Sequence, residues 1–165
     1  MISRRIRSVL MNIYFLISAV CILILDQVTK YIIIEKLPVG SSIEIIRGFF
    51  YITNLKNTGA AFGLFQDSTR ILTIISFVAI VLIIILKIIL KLNYAFYNVS
   101  LGFVLGGALG NLIDRYFVGE VTDFLSFTFF RPVFNIADSF IIIGFCLIII
   151  LILREYFKKG KTQGS

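Results

Sequence analysis

Two aspartates, Asp123 and Asp138, have the type and spacing of residues that could carry out hydrolysis. They flank a short aromatic segment at 125–132, interpreted as a loop, that returns through Pro132 to a long apolar run. Residues 124–137 suffice to bring the two carboxyl groups together. Two close carboxylates cannot comfortably both ionise, so such a pair tends to share one proton. One group can then act as general base toward water while the other acts as general acid. From these residues alone, the pattern indicates an aspartyl hydrolase.

Other polar residues have a structural interpretation beside a functional one. Asn135 could cap the helix that follows it, which would leave Asp138 as an acid favoured by the helix dipole. Asp26 and Lys30 are four residues apart and could neutralise each other on one helix face. Arg115 could extend from a helix end to the membrane interface. A catalytic or binding role remains the alternative for each of these residues.

The elements that must position these residues are predicted to be membrane-spanning helices. Of the 165 residues, 59% are hydrophobic and 15% are charged, whereas soluble proteins carry roughly 25% charged residues. Runs of about 20 apolar residues are long enough to cross a bilayer. Four such runs occur, at about 10–34, 71–90, 94–113 and 136–153. We therefore predict a single all-α polytopic membrane domain over residues 1–165.

The basic residues predict the orientation of these spans. Nine cations fall on one side of the predicted membrane together with a single acid, Glu155, so that side is cytoplasmic by the positive-inside rule. These cations are Arg4, Arg5, Arg7, Lys87, Lys91, Arg154, Lys158, Lys159 and Lys161. Both termini are then cytoplasmic, and the polar clusters gather at the outer ends of the spans. The net charge of +7 thus reflects topology, and we expect no nucleic-acid partner.

Several classes of site are excluded or disfavoured by composition. The chain has no histidine, which excludes zinc motifs built on histidine and any Ser–His or Cys–His catalytic pair. Cys21 and Cys146 lie inside predicted spans, where they behave as small apolar residues and predict no disulfide. The glycines at 102, 106 and 110 repeat every four residues, which predicts close helix packing. The basic N-terminus precedes a first span that we expect to remain uncleaved.

Five motifs of the chain resemble the signature blocks of bacterial lipoprotein signal peptidase, also called signal peptidase II. The motifs are "DQVTK" at 26–30, "NTGAAFG" at 57–63, "GGALGNLIDR" at 106–115, "VTDF" at 121–124 and "FNIADS" at 134–139. They occur in the family's order and at compatible spacing, and they cover nearly the whole chain. One departure is Thr122, because an aliphatic residue is common there.

The resemblance implies an intramembrane aspartyl protease with Asp123 and Asp138 as its catalytic dyad. Its family substrate is a prolipoprotein with a diacylglyceryl-modified cysteine, cleaved on the N-terminal side of that cysteine at the outer leaflet of the bacterial cytoplasmic membrane. The family fold has four transmembrane helices, a small extracytoplasmic β-cradle, here from about 38–55, and a short mobile helix, here from about 56–66. The residues implied to support the dyad or bind substrate are Asp26, Lys30, Asn57, Gly59, Gly107, Asn111, Arg115, Asn135 and Ala137.

The same resemblance implies contact with membrane lipid and inhibition by the cyclic peptide antibiotic globomycin, with no metal or cofactor and a monomeric enzyme. The aromatic residues Phe127, Phe129 and Phe130 could rest in the membrane interface or line a path for acyl chains. The alternative function is a small ion-coupled transporter, in which intramembrane acids bind the coupling ion. Transporters usually place such acids near the midplane and often contain repeats, and a lipid head-group transferase would require several clustered carboxylates for metal.

Overall fold

Four long helices form the body of the protein, and all four are apolar enough to cross a membrane. The computed structural model describes residues 4–59, 68–90 and 94–162. Within these ranges the helices are α1 (Arg4–Lys36), α2 (Thr69–Leu90), α3 (Ala95–Phe117) and α4 (Ile136–Thr162). The prediction of four spans is thus confirmed, and each helix extends beyond its predicted range at one end or both. The added residues include charged and aromatic side chains, which a run of purely apolar residues does not contain.

A small antiparallel sheet joins the helices at one end. Its strands are β1 (Ser42–Ile46), β2 (Phe50–Asn57), β3 (Val121–Phe127) and β4 (Phe130–Phe134), in the order β1-β2-β3-β4. The predicted cradle contained only β1 and β2, and the segment at 125–132 was interpreted as a loop. That interpretation was wrong because β3 pairs with β2, which is about seventy residues away, with Phe50 opposite Phe127. Most of the predicted mobile helix, residues 60–67, lies outside the described residues.

The sheet gathers four helix ends into one region, which we call the sheet end. The chain enters β1 from the end of α1 and enters β3 from the end of α3, and α4 begins directly after β4. The segment after β2 leads to the start of α2. Residues late in α1 and α3 and early in α2 and α4 therefore lie near one another, and these are the segments that carry most of the polar motifs.

Small residues on α3 allow its two main neighbours to pack closely against it. A Cβ atom at Gly102 would lie 2.5 Å from the carbonyl oxygen of Phe15 on α1, and one at Gly106 would overlap the carbonyl of Ala19. The predicted packing role of this glycine stripe is confirmed. The buried core lies where α1, α2 and α3 meet, around Phe15, Ala19, Ile80, Ile83, Leu101, Val104, Leu105 and Ala108.

Candidate active site

A cavity of about 200 Å³ lies at the sheet end and is lined by both predicted catalytic aspartates. Its polar wall also contains Asn57, Asn111 and Arg115. Apolar side chains complete it, namely Val121, Val133, Phe134, Ile141 and Ile142. β2, α3, β3 and α4 therefore each contribute a polar side chain to the same small space, which the chain order alone could not establish.

Asp123 reaches the cavity from β3, where its residue is 2% exposed. The pairing of β2 with β3 brings Asn57 beside it, and the Asn57 amide donates a hydrogen bond of 2.7 Å to Asp123 Oδ2. The Asn135 amide donates another bond of 2.7 Å to Oδ1. Burial and the negative charge of Asp138 outweigh these donors and raise the pKa of Asp123 to about 7. Near neutral pH this carboxyl group is therefore available both as an acid and as a base.

Asp138 lies in the first turn of α4, where it forms a reciprocal cap with Asn135. The Asp138 backbone N–H donates to Asn135 Oδ1 at 2.9 Å, and the Asn135 backbone N–H donates to Asp138 Oδ2 at 3.3 Å. This is the arrangement of a capping box, in which two unpaired donors of the helix start are satisfied together. The other carboxylate oxygen, Oδ1, accepts a 2.7 Å bond from the Asn111 amide. The capping interpretation is confirmed, and it leaves Asp138 in the wall of the cavity.

Lys30 determines which way the asparagine amides point. Its ammonium donates a 3.0 Å bond to Asn111 Oδ1, and an ammonium can only donate. The Asn111 NH₂ group must then face Asp138. Asn135 donates to Asn111 Oδ1 at 3.1 Å as well as to Asp123. Both aspartates consequently receive N–H donors, which stabilise their charged forms.

A buried charge cluster behind the cavity anchors Lys30. Asp26 Oδ2 and Asp114 Oδ2 each lie 2.7 Å from its ammonium, and Asp26 and Lys30 are almost completely buried. The predicted Asp26–Lys30 pair is thus confirmed. The second oxygen of Asp26 accepts a 2.9 Å bond from the backbone N–H of Ala137, in the first turn of α4. Asp26 therefore connects α1 to the start of the helix that carries Asp138.

The remaining predicted residues occupy supporting or lining positions. A Cβ atom at Gly107 would lie 2.5 Å from the Ala137 carbonyl oxygen, so this glycine permits α3 to approach α4. The Gly59 N–H donates a 2.9 Å bond to Asn57 Oδ1 and so orients the amide that contacts Asp123. Arg115 lines the cavity, half-buried, with Nη1 3.5 Å from Ser76 Oγ. It faces the cavity instead of extending into the interface.

Three further polar residues belong to this arrangement but were absent from the predicted set. Gln27 donates a 3.0 Å bond to Asp114 Oδ1 and a 3.3 Å bond to the Gly110 carbonyl oxygen. Ser76 contacts Arg115 from α2, whose predicted span is almost entirely apolar. Asp114 could have been found from its position three residues after Asn111, on the same face of the helix. Gln27 lies within the "DQVTK" motif, although its partners on α3 are remote in sequence. Ser76 has no comparable signal.

The arrangement is chemically suited to general acid–base hydrolysis. Two carboxyl groups share a confined space, amide donors fix their orientation, and the Arg115 guanidinium provides a positive charge in the same wall. In the ranges that the structure describes, no group of three or more His, Cys, Asp or Glu side chains is placed to hold a metal ion.

Comparisons with known proteins agree with this geometry. The model of the family described as "Signal peptidase (SPase) II" matches residues 18–154. A lipoprotein signal peptidase of Caldanaerobacter subterraneus subsp. tengcongensis is 45% identical over 140 residues, covering 84% of this chain and 93% of that protein. One of Enterococcus faecalis is 40% identical over 158 residues, covering 94% and 98%.

Solved structures give the same result for the fold. A bacterial membrane enzyme determined by the in meso method at 2.3 Å resolution superposes with a TM-score of 0.82 at 38% identity, over 88% of this chain and 90% of that one. A second, determined at 1.9 Å, has a TM-score of 0.76 at 39% identity, over 84% and 92%. The predicted fold, four spanning helices with a small sheet, is thereby confirmed.

Proposed function

The chain belongs to the signal peptidase II family, and from this premise we propose that it is an aspartyl endopeptidase with Asp123 and Asp138 as its catalytic residues. Membership in a family of lipoprotein signal peptidases makes it a multi-pass membrane hydrolase that removes signal peptides from lipoproteins. The observation that carries the finer proposal is the position of both carboxyl groups in the wall of one cavity.

The proposed reaction uses the two carboxyl groups with a water molecule. One carboxylate accepts a proton from the water as its oxygen attacks the scissile carbonyl carbon. The other carboxyl group, protonated, donates to the carbonyl oxygen as the tetrahedral intermediate forms. The first carboxyl group then donates its proton to the amide nitrogen and the C–N bond breaks. The second carboxylate takes back a proton from a hydroxyl of the intermediate, so the products are a carboxylic acid and an amine and the pair again holds one proton. The pKa of about 7 for Asp123 supports this chemistry, because such a group accepts and donates protons near neutral pH.

Neighbouring side chains have supporting roles in this proposal. Asn57, Asn111 and Asn135 orient the two carboxyl groups through the hydrogen bonds described above. Asp26, Lys30, Gly59, Gly107 and Ala137 hold these asparagines and the start of α4 in place. Arg115 offers its charge to the developing oxyanion or to a lipid oxygen.

The proposed substrate is a prolipoprotein whose cysteine carries a diacylglyceryl group, cleaved on the N-terminal side of that cysteine. The acyl chains hold this cysteine at headgroup depth in the outer leaflet, and the signal helix continues into the bilayer. The basic ends of the chain support an orientation with both termini in the cytoplasm and the sheet end outside. We extend the proposal to inhibition by globomycin, which would compete for this cavity, and to a monomeric enzyme.

The testing experiment is a processing assay with purified protein in lipid bilayers. A diacylated prolipoprotein is incubated with the protein in the presence of a chelator, and the product is detected by its gel shift and its new N-terminal cysteine. We expect cleavage to proceed with chelator present and to stop with globomycin. An intact substrate would contradict the proposal, and ion uptake into sealed vesicles without cleavage would indicate a transporter.

A further inference from the structure

A second concavity, which we call the α2–α3 groove, lies beside the sheet end on the membrane-facing surface. Its volume is about 320 Å³, and its wall is apolar. Ile74 and Phe77 of α2 and Leu112, Ile113, Tyr116 and Phe117 of α3 form most of it. Phe77 is 59% exposed and Tyr116 is 70% exposed. The groove is therefore open to the surroundings and is not filled by described parts of the chain.

The groove adjoins the cavity that contains the aspartates. Arg115 lines that cavity and Tyr116, the next residue, lines the groove. On α2, Ser76 contacts Arg115 at 3.5 Å, and Phe77, the next residue, lines the groove. A molecule with an oxygen-bearing head and an apolar tail could therefore place its head at Arg115 in the cavity and its tail in the α2–α3 groove.

The position of the groove limits what can occupy it. Both helices are membrane-spanning at this point, so the groove opens toward hydrocarbon. A space of about 320 Å³ holds side chains or part of one acyl chain and does not enclose a whole α-helix, which is 10–12 Å wide with its side chains. The groove is also open and wholly apolar in its exposed wall, which suits a segment of acyl chain because such a chain has no polar group to satisfy.

We propose that the α2–α3 groove binds one acyl chain of the substrate's diacylglyceryl group while Arg115 receives the ester oxygens of that group. This inference rests on the proposed function and adds a lipid-binding subsite to it. Membrane lipid is as apolar as the groove, so transfer of the chain from bilayer to groove provides little hydrophobic free energy. The bound chain instead contributes to catalysis by positioning, because a chain held in the groove places the attached cysteine beside the two aspartates.

The chain contains no tryptophan, so a single introduced tryptophan can report occupancy directly. Phe77→Trp places the reporter in the wall, and Val78→Trp is the matched control at nearly the same depth, 48% exposed and outside the wall. The quencher is a diacylglyceryl-cysteine peptide with bromine on one acyl chain, in nanodiscs. We expect saturable quenching of Phe77→Trp and only weak, non-saturable quenching of Val78→Trp.

Three results would overturn the inference. They are no saturable quenching of Phe77→Trp, equal quenching of both variants, and equally strong quenching of Phe77→Trp by a brominated bulk phospholipid at the same mole fraction. The last result would assign the groove to ordinary membrane lipid. Because the quenching experiment measures binding, its outcome does not depend on whether the protein cleaves the peptide.

A kinetic experiment separates the groove from the catalytic residues. Ile74→Trp fills part of the groove, and Ile75→Trp is the control, since Ile75 is also exposed but lies outside the wall. For long-chain diacylated substrate we expect Ile74→Trp to lower kcat/KM on the order of 10- to 100-fold. With a short-chain diacylated substrate, the loss caused by Ile74→Trp should be smaller than with the long-chain substrate, because a short chain fills less of the groove. Equal losses with long and short chains, or no loss with either, would contradict the inference; failure of the wild type to cleave either would instead contradict the proposed function.

Discussion

Asp138 divides its two carboxylate oxygens between the helix that carries it and the cavity. Oδ2 takes part in the cap with Asn135, and Oδ1 accepts from Asn111. A residue that looked like an ordinary helix-start acid can therefore also be a catalytic group. The cap holds the Asp138 carboxyl group against the first turn of α4, so this group is already oriented before substrate binds.

Asparagine at either catalytic position should abolish processing without unfolding the protein. Asparagine keeps the shape and one acceptor oxygen, but it cannot exchange a proton. Removal of a general acid or base commonly costs 10²- to 10⁴-fold in rate, so we expect at least a 100-fold loss for Asp123→Asn and for Asp138→Asn. Processing is measured by gel shift, and the helical circular dichroism signal serves as control. A variant that keeps a tenth of wild-type turnover would exclude that residue from the dyad.

The pH dependence of activity and stability should follow the raised pKa of Asp123. Burial and the charge of Asp138 raise this pKa from 3.8 to about 7, so the folded state binds the proton more tightly than the unfolded state does. The free energy of unfolding should then fall as pH rises from about 4 to about 7, with no further loss from this group above that range. Thermal unfolding of the wild type and of Asp123→Asn, measured from about pH 4 to about pH 7, tests this prediction. The variant has no titrating group at position 123, so its stability should not show this fall with pH.

In the proposed mechanism, we expect the protonation of Asp123 to limit the rate of cleavage at high pH. A mechanism that requires one protonated carboxyl group should show a fall in kcat/KM above pH 7. A flat profile from pH 6 to pH 9 would mean that the titration of Asp123 does not limit the reaction.

The part of the candidate site that could be predicted from the sequence consists of residues related by short, regular spacing. Asp26 and Lys30 are related by helical spacing, and Asn135 and Asp138 by the spacing of a helix cap. Ser76 could not be predicted in this way, since its contact with Arg115 joins residues 39 positions apart. The orientation of the Asn111 and Asn135 amide groups could not be predicted either, because it depends on the buried ammonium of Lys30.

At the scale of elements, the start of α4 is held by α1 through a single carboxylate. Removing it in Asp26→Ala would leave the Ala137 N–H without this acceptor and Lys30 with only Asp114 as its counter-ion. Breaking a buried ion pair typically costs about 3–5 kcal/mol. We expect a loss of that order in the free energy of unfolding, measured by denaturant titration in detergent. Glu35→Ala, an exposed acid on the same helix, should change it by less than about 0.5 kcal/mol.

Two glycines at the α3–α4 contact can separate packing from catalytic geometry. A Cβ atom at Gly107 would meet the Ala137 carbonyl beside Asp138, whereas one at Gly144 would lie 2.7 Å from the Ser100 carbonyl oxygen. Gly144 is six residues after Asp138, which is about 9 Å further along α4. Overpacking of this kind commonly costs about 1–3 kcal/mol, so Gly107→Ala and Gly144→Ala should both lower stability. Only Gly107→Ala should reduce kcat/KM beyond the loss of folded protein, because a shift of about 1 Å at the reacting groups can cost on the order of 100-fold. Equal specific activities would show that the α4 start tolerates displacement.

All four helices could be predicted from the sequence, but only β1 and β2 of the four strands could, and the reason is physical. A spanning helix satisfies its backbone within itself, so its signal is the length of one apolar run. A strand needs a partner, and β3 finds it in β2 across the whole of α2 and α3. The aromatic segment at 125–132 is loop only at the turn of residues 128–129. Its two strands have no local signal because their stabilising contacts are remote, including the stacked rings of Phe49 and Phe129.

For the whole molecule, the orientation in the membrane is a prediction with a direct test. In a background with Cys21→Ala and Cys146→Ala, a cysteine is placed at Ser68, before α2 at the sheet end, or at Tyr94, before α3 at the opposite end. A thiol reagent that cannot cross membranes is added to intact cells. We expect labelling at position 68 and none at position 94 until the membrane is opened. Labelling of position 94 in intact cells would invert the proposed topology and place the aspartates on the cytoplasmic side.

The depth of the cavity gives the final prediction, which concerns the lipid on the substrate. Asn111 lies six residues before the end of α3 at Phe117, which is about 9 Å along a helix that rises 1.5 Å per residue. The hydrocarbon core is about 30 Å thick, so we expect the two aspartates to lie near headgroup depth in the leaflet on the sheet side. Acyl chains hold a peptide at that depth, since each buried CH₂ contributes roughly 0.8 kcal/mol relative to water.

An unlipidated prolipoprotein with the same signal helix should therefore be cleaved more slowly, on the order of 100-fold, because its scissile bond is not held at the cavity. Initial rates on matched substrates with and without the diacylglyceryl group, in the same bilayer, provide the measurement. A substrate with a lengthened signal helix and no lipid is the control for depth alone. Equal rates with and without lipid would show that the signal helix by itself sets the position of the scissile bond.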